Sequence, residues 1–290
     1  MRLASVSGRA TLLVAGDERN ELRGVDVARA SKGRFGSDIS ALYPVWESFR
    51  AWASTLDATG GDPVDAVDLG NPAPAPAQVF AIGLNYHEHA VESNVSVSVD
   101  RAVIPPTFTK FPSSLSNPFS PVVLPSDKVD WEVELVVVIG RHAERVLAAD
   151  AWSYVAGVAV GQDYSEREVQ IAGPYPQFSL GKSFPGFSPI GPWLVTPDEL
   201  DNADDLELVC EINGEPMQKG RTSEMVWSVP ELVSVLSGVC PLRPGDVIFT
   251  GTPSGVGMAR KPPRYLAPGD VVVSRIPGIG EIRQECLAGH

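Results

Sequence analysis

The sequence predicts a β-rich α+β fold, with a small N-terminal domain followed by a larger domain built on a curved or barrel-like sheet. Short β-branched runs that end in or contain glycine, such as WEVELVVVIG and YVAGVAVGQD, are typical of buried strands. Turn signals lie between such runs. Asn213-Gly214 favours a hairpin, and Pro-Gly-Asp precedes a predicted strand in two places. The proline- and alanine-rich stretch GNPAPAPAQ indicates an extended linker that separates the two domains.

Residues 1–75 are predicted to form the small domain and residues 76–290 the large one. In the small domain, RATLLVAG predicts a strand that ends in a turn. YPVWESFRAWASTL carries apolar residues at helical spacing and predicts a helix. In the large domain the strands lie close together in sequence, and helices are few and short, as in VPELVSVLSG. This order favours a barrel-like sheet over alternating βαβ units.

Composition narrows the classes of protein to which the chain can belong. The 290 residues are 43% hydrophobic and carry a formal net charge of −13, which disfavours non-specific binding to nucleic acid or to an anionic membrane. The three cysteines are far apart in sequence and have no zinc spacing, so neither a disulfide framework nor a zinc site is expected. No stretch has the pattern of a signal peptide or the length of a membrane span. We therefore expect an unprocessed, cytoplasmic protein with no nucleic-acid or membrane partner.

Three carboxylates are placed where two predicted strands begin or end. Glu132 and Glu134 are two residues apart on a strand, so both side chains point to one face. Asp163 follows the end of another apolar strand. Two glutamates could equally face solvent on an edge strand, and the pair alone leaves these alternatives even. The third carboxylate, without a nearby cysteine or paired histidines, favours a hard cation such as Mg²⁺ or Mn²⁺.

The segment NYHEHAVESN contains two of the four histidines of the chain. Asn85 is predicted to cap a short helix. His89 and Glu92 are then three residues apart, so the carboxylate can orient the imidazole and the pair can draw a proton from water. A solvated helix with incidental histidines is the alternative that the residues alone favour, and His87 is predicted to lie on the surface. The following VSVSVD predicts a surface loop or a lid.

Eight stretches of the chain, in order, resemble the fumarylacetoacetate hydrolase superfamily. Each stretch is modest alone, but the ordered succession from about residue 82 to residue 282 is specific and favours a functional role for the histidine segment. The stretches are GLNYHEHAVE, PPTFTKFPSSL, VDWEVELVVVIGR, YVAGVAVGQDYSEREVQ, GKSFPGFSPIGPWLVTPDEL, INGEPMQKGRTSEMVWSVPELVSVLS, LRPGDVIFTGTPSGVG and LAPGDVVVSRIPGIGEI.

The resemblance implies a mixed β-roll catalytic domain, a homodimer and a role for ten residues. The implied metal ligands are Glu132, Glu134 and Asp163, for Mg²⁺ or Mn²⁺, and Ca²⁺ could take the same site in a crystal. The implied catalytic residues are His89, Glu92 and Lys182. The implied substrate-binding residues are Arg167, Gln170, Thr252 and Lys110.

The resemblance also implies the chemistry. Hydrolytic cleavage of a C–C bond in a small 2,4-dioxo acid, such as an acylpyruvate, is the predicted reaction, with His89 and Glu92 activating water. An oxaloacetate-type decarboxylase and an isomerase of an unsaturated dioate are the alternatives, because both can use the same site. The expected partner is thus a small 2-oxo or dioxo acid.

Overall fold

The computed structural model describes residues 1–14, 22–56, 60–95, 100 and 103–289, and these residues form many short strands and few helices. The strands are β1 (Arg2–Val6), β2 (Arg9–Val14), β3 (Arg23–Asp26), β4 (Asp62–Pro63), β5 (Leu69–Gly70), β6 (Val79–Ile82), β7 (Thr107–Thr109), β8 (Leu115–Ser116), β9 (Val122–Leu124), β10 (Val129–Asp130), β11 (Val133–Ile139), β12 (Val155–Gln162), β13 (Ser165–Glu166), β14 (Ser188–Val195), β15 (Glu207–Ile212), β16 (Glu215–Arg221), β17 (Val247–Phe249), β18 (Val271–Ile276) and β19 (Gly280–Ala288). The α-helices are α1 (Val27–Ala30), α2 (Trp46–Ala53), α3 (His87–Glu92), α4 (Arg167–Gln170) and α5 (Val229–Val239). Within this part of the chain, no helix is long and apolar enough to cross a bilayer.

A 12-stranded mixed sheet organises the molecule. Its main path runs β4-β3-β2-β1-β14-β12-β11-β17-β6-β7, with β5 added beside β1 and β8 beside β14. The two central strands, β11 and β12, are buried along their whole length. Their β-branched, near-continuous apolar sequence suits a strand that is covered on both faces. The β-rich α+β prediction is therefore confirmed.

A second sheet, in the order β16-β15-β18-β19-β9, covers one side of the first. Its inward side chains share one apolar core with β11 and β12, as Ile212 and Ile282 illustrate beside Leu135 and Val160. The predicted turns are also confirmed. Asn213 and Gly214 have φ values of 53° and 80° between β15 and β16, as a type I′ hairpin requires.

The N-terminal strands continue the main sheet and do not stand apart from it. Strand β1 pairs with β14 in the register Leu3 to Leu194, and both side chains lie in a core that also contains Val136 and Val138 of β11. This core includes the aromatic residues of α2, which the helical spacing had predicted. The division of the chain near residue 75 stays a prediction.

Replacement of Leu3 tests how strongly the N-terminal strands support the sheet. Leu3 is fully buried, so Leu3→Ala should lower the free energy of unfolding by about 2–5 kcal/mol. Because β1 is paired with β14, the loss should appear in the unfolding of the whole chain, followed by denaturant titration. Leu147→Ala, at a side chain that is 70% exposed, is the matched control and should change little. A separate early transition confined to the N-terminal residues would contradict the shared core.

Candidate active site

Three carboxylates converge where β11 begins and β12 ends. Glu134 lies on β11, Glu132 directly precedes that strand, and Asp163 directly follows β12. Antiparallel pairing of Glu134 with Gly161 brings these strand ends together. One oxygen from each carboxylate can be chosen so that all three lie within 4.8 Å of one another, and all three side chains are buried.

Basic side chains lie among these carboxylates, but their effect on the pKa differs between Glu132 and Glu134. Lys182 Nζ lies 2.7 Å from Glu132 Oε2 and 2.7 Å from Asp163 Oδ2. Burial works to raise the pKa of Glu132, but Lys182 and Arg167 outweigh it and hold that pKa below its ordinary value. Glu134 has the opposite environment, because burial, Asp163 and Glu132 all raise its pKa well above the usual range.

The donor set fits a divalent cation. It offers three buried carboxylates and contains neither cysteine nor histidine, which is the ligand chemistry of Mg²⁺ and Mn²⁺. A cation among them would also relieve the repulsion that raises the pKa of Glu134. The structure therefore brings together the three residues that the sequence predicted as metal ligands.

Lys110 lies behind Asp163 and outside the lining of the cavity that the other site residues share. Its side chain is fully buried, and its ammonium donates to Asp163 Oδ1 and to the backbone oxygen of Lys182. Burial is the main cause that lowers its pKa. A direct contact between Lys110 and substrate stays a prediction, whereas its contacts in the structure hold Asp163 and Lys182 in place.

Removal of the Lys110 charge should destabilise the protein. Lys110→Met breaks a fully buried ion pair and leaves Asp163 with one cation fewer, so the free energy of unfolding should fall by about 3–5 kcal/mol in the presence of chelator. Lys219→Met is the matched control, since that lysine is 71% exposed and its ion pair should be worth about 1 kcal/mol or less. Equal losses in the two variants, measured by denaturant titration, would contradict the buried role.

His89 and Glu92 form the pair that their spacing predicted. On α3, His89 Nδ1 lies 2.7 Å from Glu92 Oε1, and His89 is buried. The backbone amide of Gly255 donates to Glu92 Oε2 at 2.9 Å and fixes the carboxylate from its other side. With Nδ1 engaged, the remaining ring nitrogen, Nε2, is the one that can serve as a base. His87 is exposed, as predicted.

The predicted N-cap is wrong. Helix α3 begins after Tyr86, and no side chain caps it. The Asn85 side chain instead accepts from the amide of Trp227 at 2.8 Å, and donates to the carbonyl oxygens of Trp227 and Thr250 at 3.0 and 2.7 Å. It therefore ties the start of the helix to two distant loops. The predicted lid, VSVSVD, includes residues 96–99, which lie outside the described residues.

Arg167 is anchored by an aspartate that the sequence analysis did not single out. Arg167 Nε donates to Asp130 Oδ2 at 2.8 Å, while Nη1 reaches Glu132 Oε1 and Gln170 Oε1, each at 2.8 Å. Asp130 is itself fully buried and accepts from the amides of Gly257 and Met258. The signal that could have found it is its position two residues before Glu132, in the stretch VDWEVEL.

The loop that follows β17 supplies backbone amides to the site carboxylates. The Gly255 amide donates to Glu92, and the Gly251 amide donates to Glu134 Oε2 at 2.7 Å. Thr252 is engaged as well, because its hydroxyl donates to the carbonyl of Val133 at 2.9 Å and accepts from Gln218 Nε2 at 2.7 Å. The sequence analysis did not identify Gln218, because nothing in the local sequence indicates that its side chain is buried.

Most of these residues line one cavity of about 190 Å³. The predicted site residues in its lining are His89, Glu132, Arg167, Gln170, Lys182 and Thr252. Glu134, Asp163 and Lys110 lie beside or beneath them, and Glu92 lies behind His89. The His89–Glu92 pair, the carboxylate cluster and two cationic side chains therefore adjoin one small cavity.

This combination defines a class of site in which three buried carboxylates that could hold a divalent cation and a buried histidine adjoin one cavity on a β-rich scaffold. The family model described as fumarylacetoacetate (FAA) hydrolase C-terminal matches residues 78–286. The chain therefore belongs to the fumarylacetoacetate hydrolase family.

Known proteins of the family span several activities. The human protein named oxaloacetate tautomerase FAHD2A, mitochondrial, is 44% identical over 213 residues, which are 73% of this chain and 67% of that protein. Among solved structures, a Mycobacterium smegmatis protein provisionally named HpcE is 52% identical, with full coverage of both chains and a TM-score of 0.92. Maleylpyruvate hydrolase from Sphingobium sp. SYK-6, solved with manganese(II) and pyruvate, is 28% identical over the full length of both chains, with a TM-score of 0.79.

Proposed function

We propose that this protein is a divalent-cation-dependent enzyme that hydrolyses a C–C bond in a small 2,4-dioxo acid. The observation that carries the proposal is the presence of the His89–Glu92 pair and the three-carboxylate cluster at one cavity. Hydrolysis needs both a base for water and a site for the 2-oxo acid unit. The maleylpyruvate hydrolase was solved in complex with manganese(II) and pyruvate, which supports a site for a cation and a 2-oxo acid.

Each end of the substrate would meet a different part of the chain. Bound at Glu132, Glu134 and Asp163, Mg²⁺ or Mn²⁺ would supply Lewis-acid polarisation of a 2-oxo acid. Arg167 and Gln170 line the cavity, and their N–H groups would hold the carboxylate of the 2-oxo acid unit.

His89 then takes a proton from water, and the water oxygen forms a bond to the distal carbonyl carbon. The C–C bond on the near side of that carbonyl breaks, and its electron pair passes to the pyruvate unit as an enolate. The ammonium of Lys182 stabilises the developing charge. Glu92 holds the imidazole in place through its contact with Nδ1. Proton return to the enolate carbon yields pyruvate and a carboxylic acid.

Keto–enol tautomerisation of oxaloacetate is a second candidate, favoured by the 44% identity to the human tautomerase. In that reaction His89 removes a proton from the carbon beside the keto group, and the oxygen gains a proton, so no bond between carbon atoms breaks. The same base and the same fixed charges serve both reactions. The difference lies in the substrate and in whether water attacks it.

Turnover of acetylpyruvate and oxaloacetate, with Mg²⁺ and after chelation, tests the proposal. Cation-dependent release of acetate and pyruvate from acetylpyruvate is the expected result. Accelerated equilibration of enol-oxaloacetate without acetylpyruvate cleavage would replace hydrolysis by tautomerisation. Carbon dioxide and pyruvate from oxaloacetate would indicate a decarboxylase. Inactivity on both substrates, in protein shown to bind the cation, would contradict the proposal.

A further inference from the structure

The lining of the cavity contains both polar and apolar side chains. The polar part, which we call the charged end, contains the six predicted site residues named above. The apolar part is a set of side chains that we call the apolar wall, and these are Leu84, Val95, Phe108, Ile171, Phe178 and Met258. A 2-oxo acid unit held at the charged end would leave these apolar side chains to contact the rest of a longer substrate.

Two aromatic rings join the wall to the charged end. Phe108 lies with its ring centroid 5.3 Å from Lys182 Nζ, so the wall begins beside the ammonium. Phe178 packs edge-to-face on Phe108, with centroids 5.7 Å apart and an interplanar angle of 67°. A substrate held near Lys182 therefore meets the face or edge of these rings as soon as its chain extends beyond the 2-oxo unit.

The cations in the described lining are already engaged. Arg167 and Lys182 are the only lysine or arginine residues in that lining. Arg167 contacts Asp130, Glu132 and Gln170, and Lys182 contacts Glu132 and Asp163. A second carboxylate lying against the apolar wall would lose part of its hydration and would find no free lysine or arginine among the described lining residues, which is unfavourable.

We propose that the apolar wall selects 2-oxo acids with an uncharged, apolar tail and rejects those whose tail ends in a carboxylate. The inference rests on the proposed function, since it takes the 2-oxo unit to bind at the charged end. It narrows the substrate class to acylpyruvates with aliphatic acyl groups. Oxaloacetate is not excluded by the wall, because it is short enough to remain at the charged end.

Binding of matched 2-oxo acids tests the inference without requiring turnover. The pairs are 2-oxopentanoate with 2-oxoglutarate and 2-oxohexanoate with 2-oxoadipate, and each pair differs only in the end of its tail. Calorimetric titration of Mn²⁺-loaded protein should give each monoacid a Kd at least about tenfold lower than its diacid partner. From pyruvate upwards, each added methylene should lower Kd by about fourfold, the factor that corresponds to roughly 0.8 kcal/mol.

A charge placed on the wall should reverse the preference. Ile171→Lys introduces an ammonium at a position that is 53% exposed, so the fold should tolerate it. The ratio of monoacid to diacid affinity should fall by about fivefold or more. Val169→Lys is the matched control, because Val169 is also exposed, belongs to the adjacent helix α4 and does not line the cavity. Its affinity ratio should remain that of the wild-type protein.

The outcomes separate this inference from the proposed function. Cation-dependent pyruvate binding combined with equal or tighter binding of the diacids would overturn the apolar selection and leave the proposed function intact. A ratio that responds equally to both lysine substitutions would also overturn it. If the cation-loaded protein does not bind pyruvate, both the proposed function and this inference fail.

Discussion

Glu134→Gln should abolish cation-dependent turnover while leaving the unliganded fold at least as stable as the wild type. The substitution removes one of three clustered carboxylates but keeps an oxygen that can accept from the Gly251 amide. Changing a group that merely supports a metal ligand costs about 10–100-fold in affinity, so loss of a ligand should weaken Mn²⁺ binding by at least about 100-fold. Turnover should fall to the level seen after chelation.

The effect on stability makes this prediction specific. In chelator, the neutral amide of the Glu134→Gln variant would not be repelled by Glu132 and Asp163, so the free energy of unfolding should not fall. With Mn²⁺ at about 100 times its wild-type Kd, the wild-type protein should gain about 2.7 kcal/mol and the variant almost nothing. Denaturant titration with and without Mn²⁺ measures both quantities.

Glu166→Gln is the matched control for that experiment. Glu166 is also a buried carboxylate close to the site, but it binds Ser126 and the Val169 amide and lies outside the cluster. Its variant should keep the gain in stability on adding Mn²⁺. If Glu134→Gln retained that gain and the wild-type turnover, the metal assignment would be wrong.

The sequence could predict that the three carboxylates lie together, because local periodicity and strand ends determine their positions. Glu132 and Glu134 share a face by the period of a strand, and Asp163 marks the end of the strand that pairs with β11. Composition alone does not determine the pairing of β11 with β12. Because these two long apolar runs are close in sequence, antiparallel pairing is the simplest arrangement for them. Only the family resemblance implied roles for Lys182 and Arg167, since nothing in the local sequence indicates that their side chains point inward.

The remaining features of the site depend on contacts between distant parts of the chain. The Gly257 amide reaches Asp130 across 127 residues, and Asn85 reaches Trp227 across 142. A local rule assigned Asn85 to a helix cap, and the tertiary contacts that it makes instead were invisible to that rule. The wall residue Phe178 lies in a loop whose sequence does not mark it as lining a cavity.

The N-terminal region illustrates the same limit at the level of the fold. The strand and helix of the first residues were predicted correctly, as β2 and α2. The pairing of β1 with β14 joins positions such as Leu3 and Leu194 that only the folded sheet brings together. The proline-rich stretch after residue 70 therefore separates elements in sequence that share a sheet and a core in space.

His89→Asn should lower kcat for the cation-dependent reaction by about 10²–10⁴-fold, because it removes the base from the cavity. Asparagine cannot accept the proton, yet it is polar and small enough for the same space. Binding of Mn²⁺ and of pyruvate should stay within about twofold of wild type, since His89 is not one of the three clustered carboxylates and its side-chain contact is with Glu92. Single-turnover kinetics with calorimetry separates the chemical step from binding.

The adjacent histidine on α3 provides the control. His87→Asn makes the same substitution at an exposed position two residues away, and kcat should remain near the wild-type value. Glu92→Gln should give an intermediate loss in kcat, because the imidazole stays in place but loses the charged partner at Nδ1. If His89→Asn and His87→Asn had equal activity, the base would have to be sought elsewhere, and both hydrolysis and tautomerisation by this pair would be untenable.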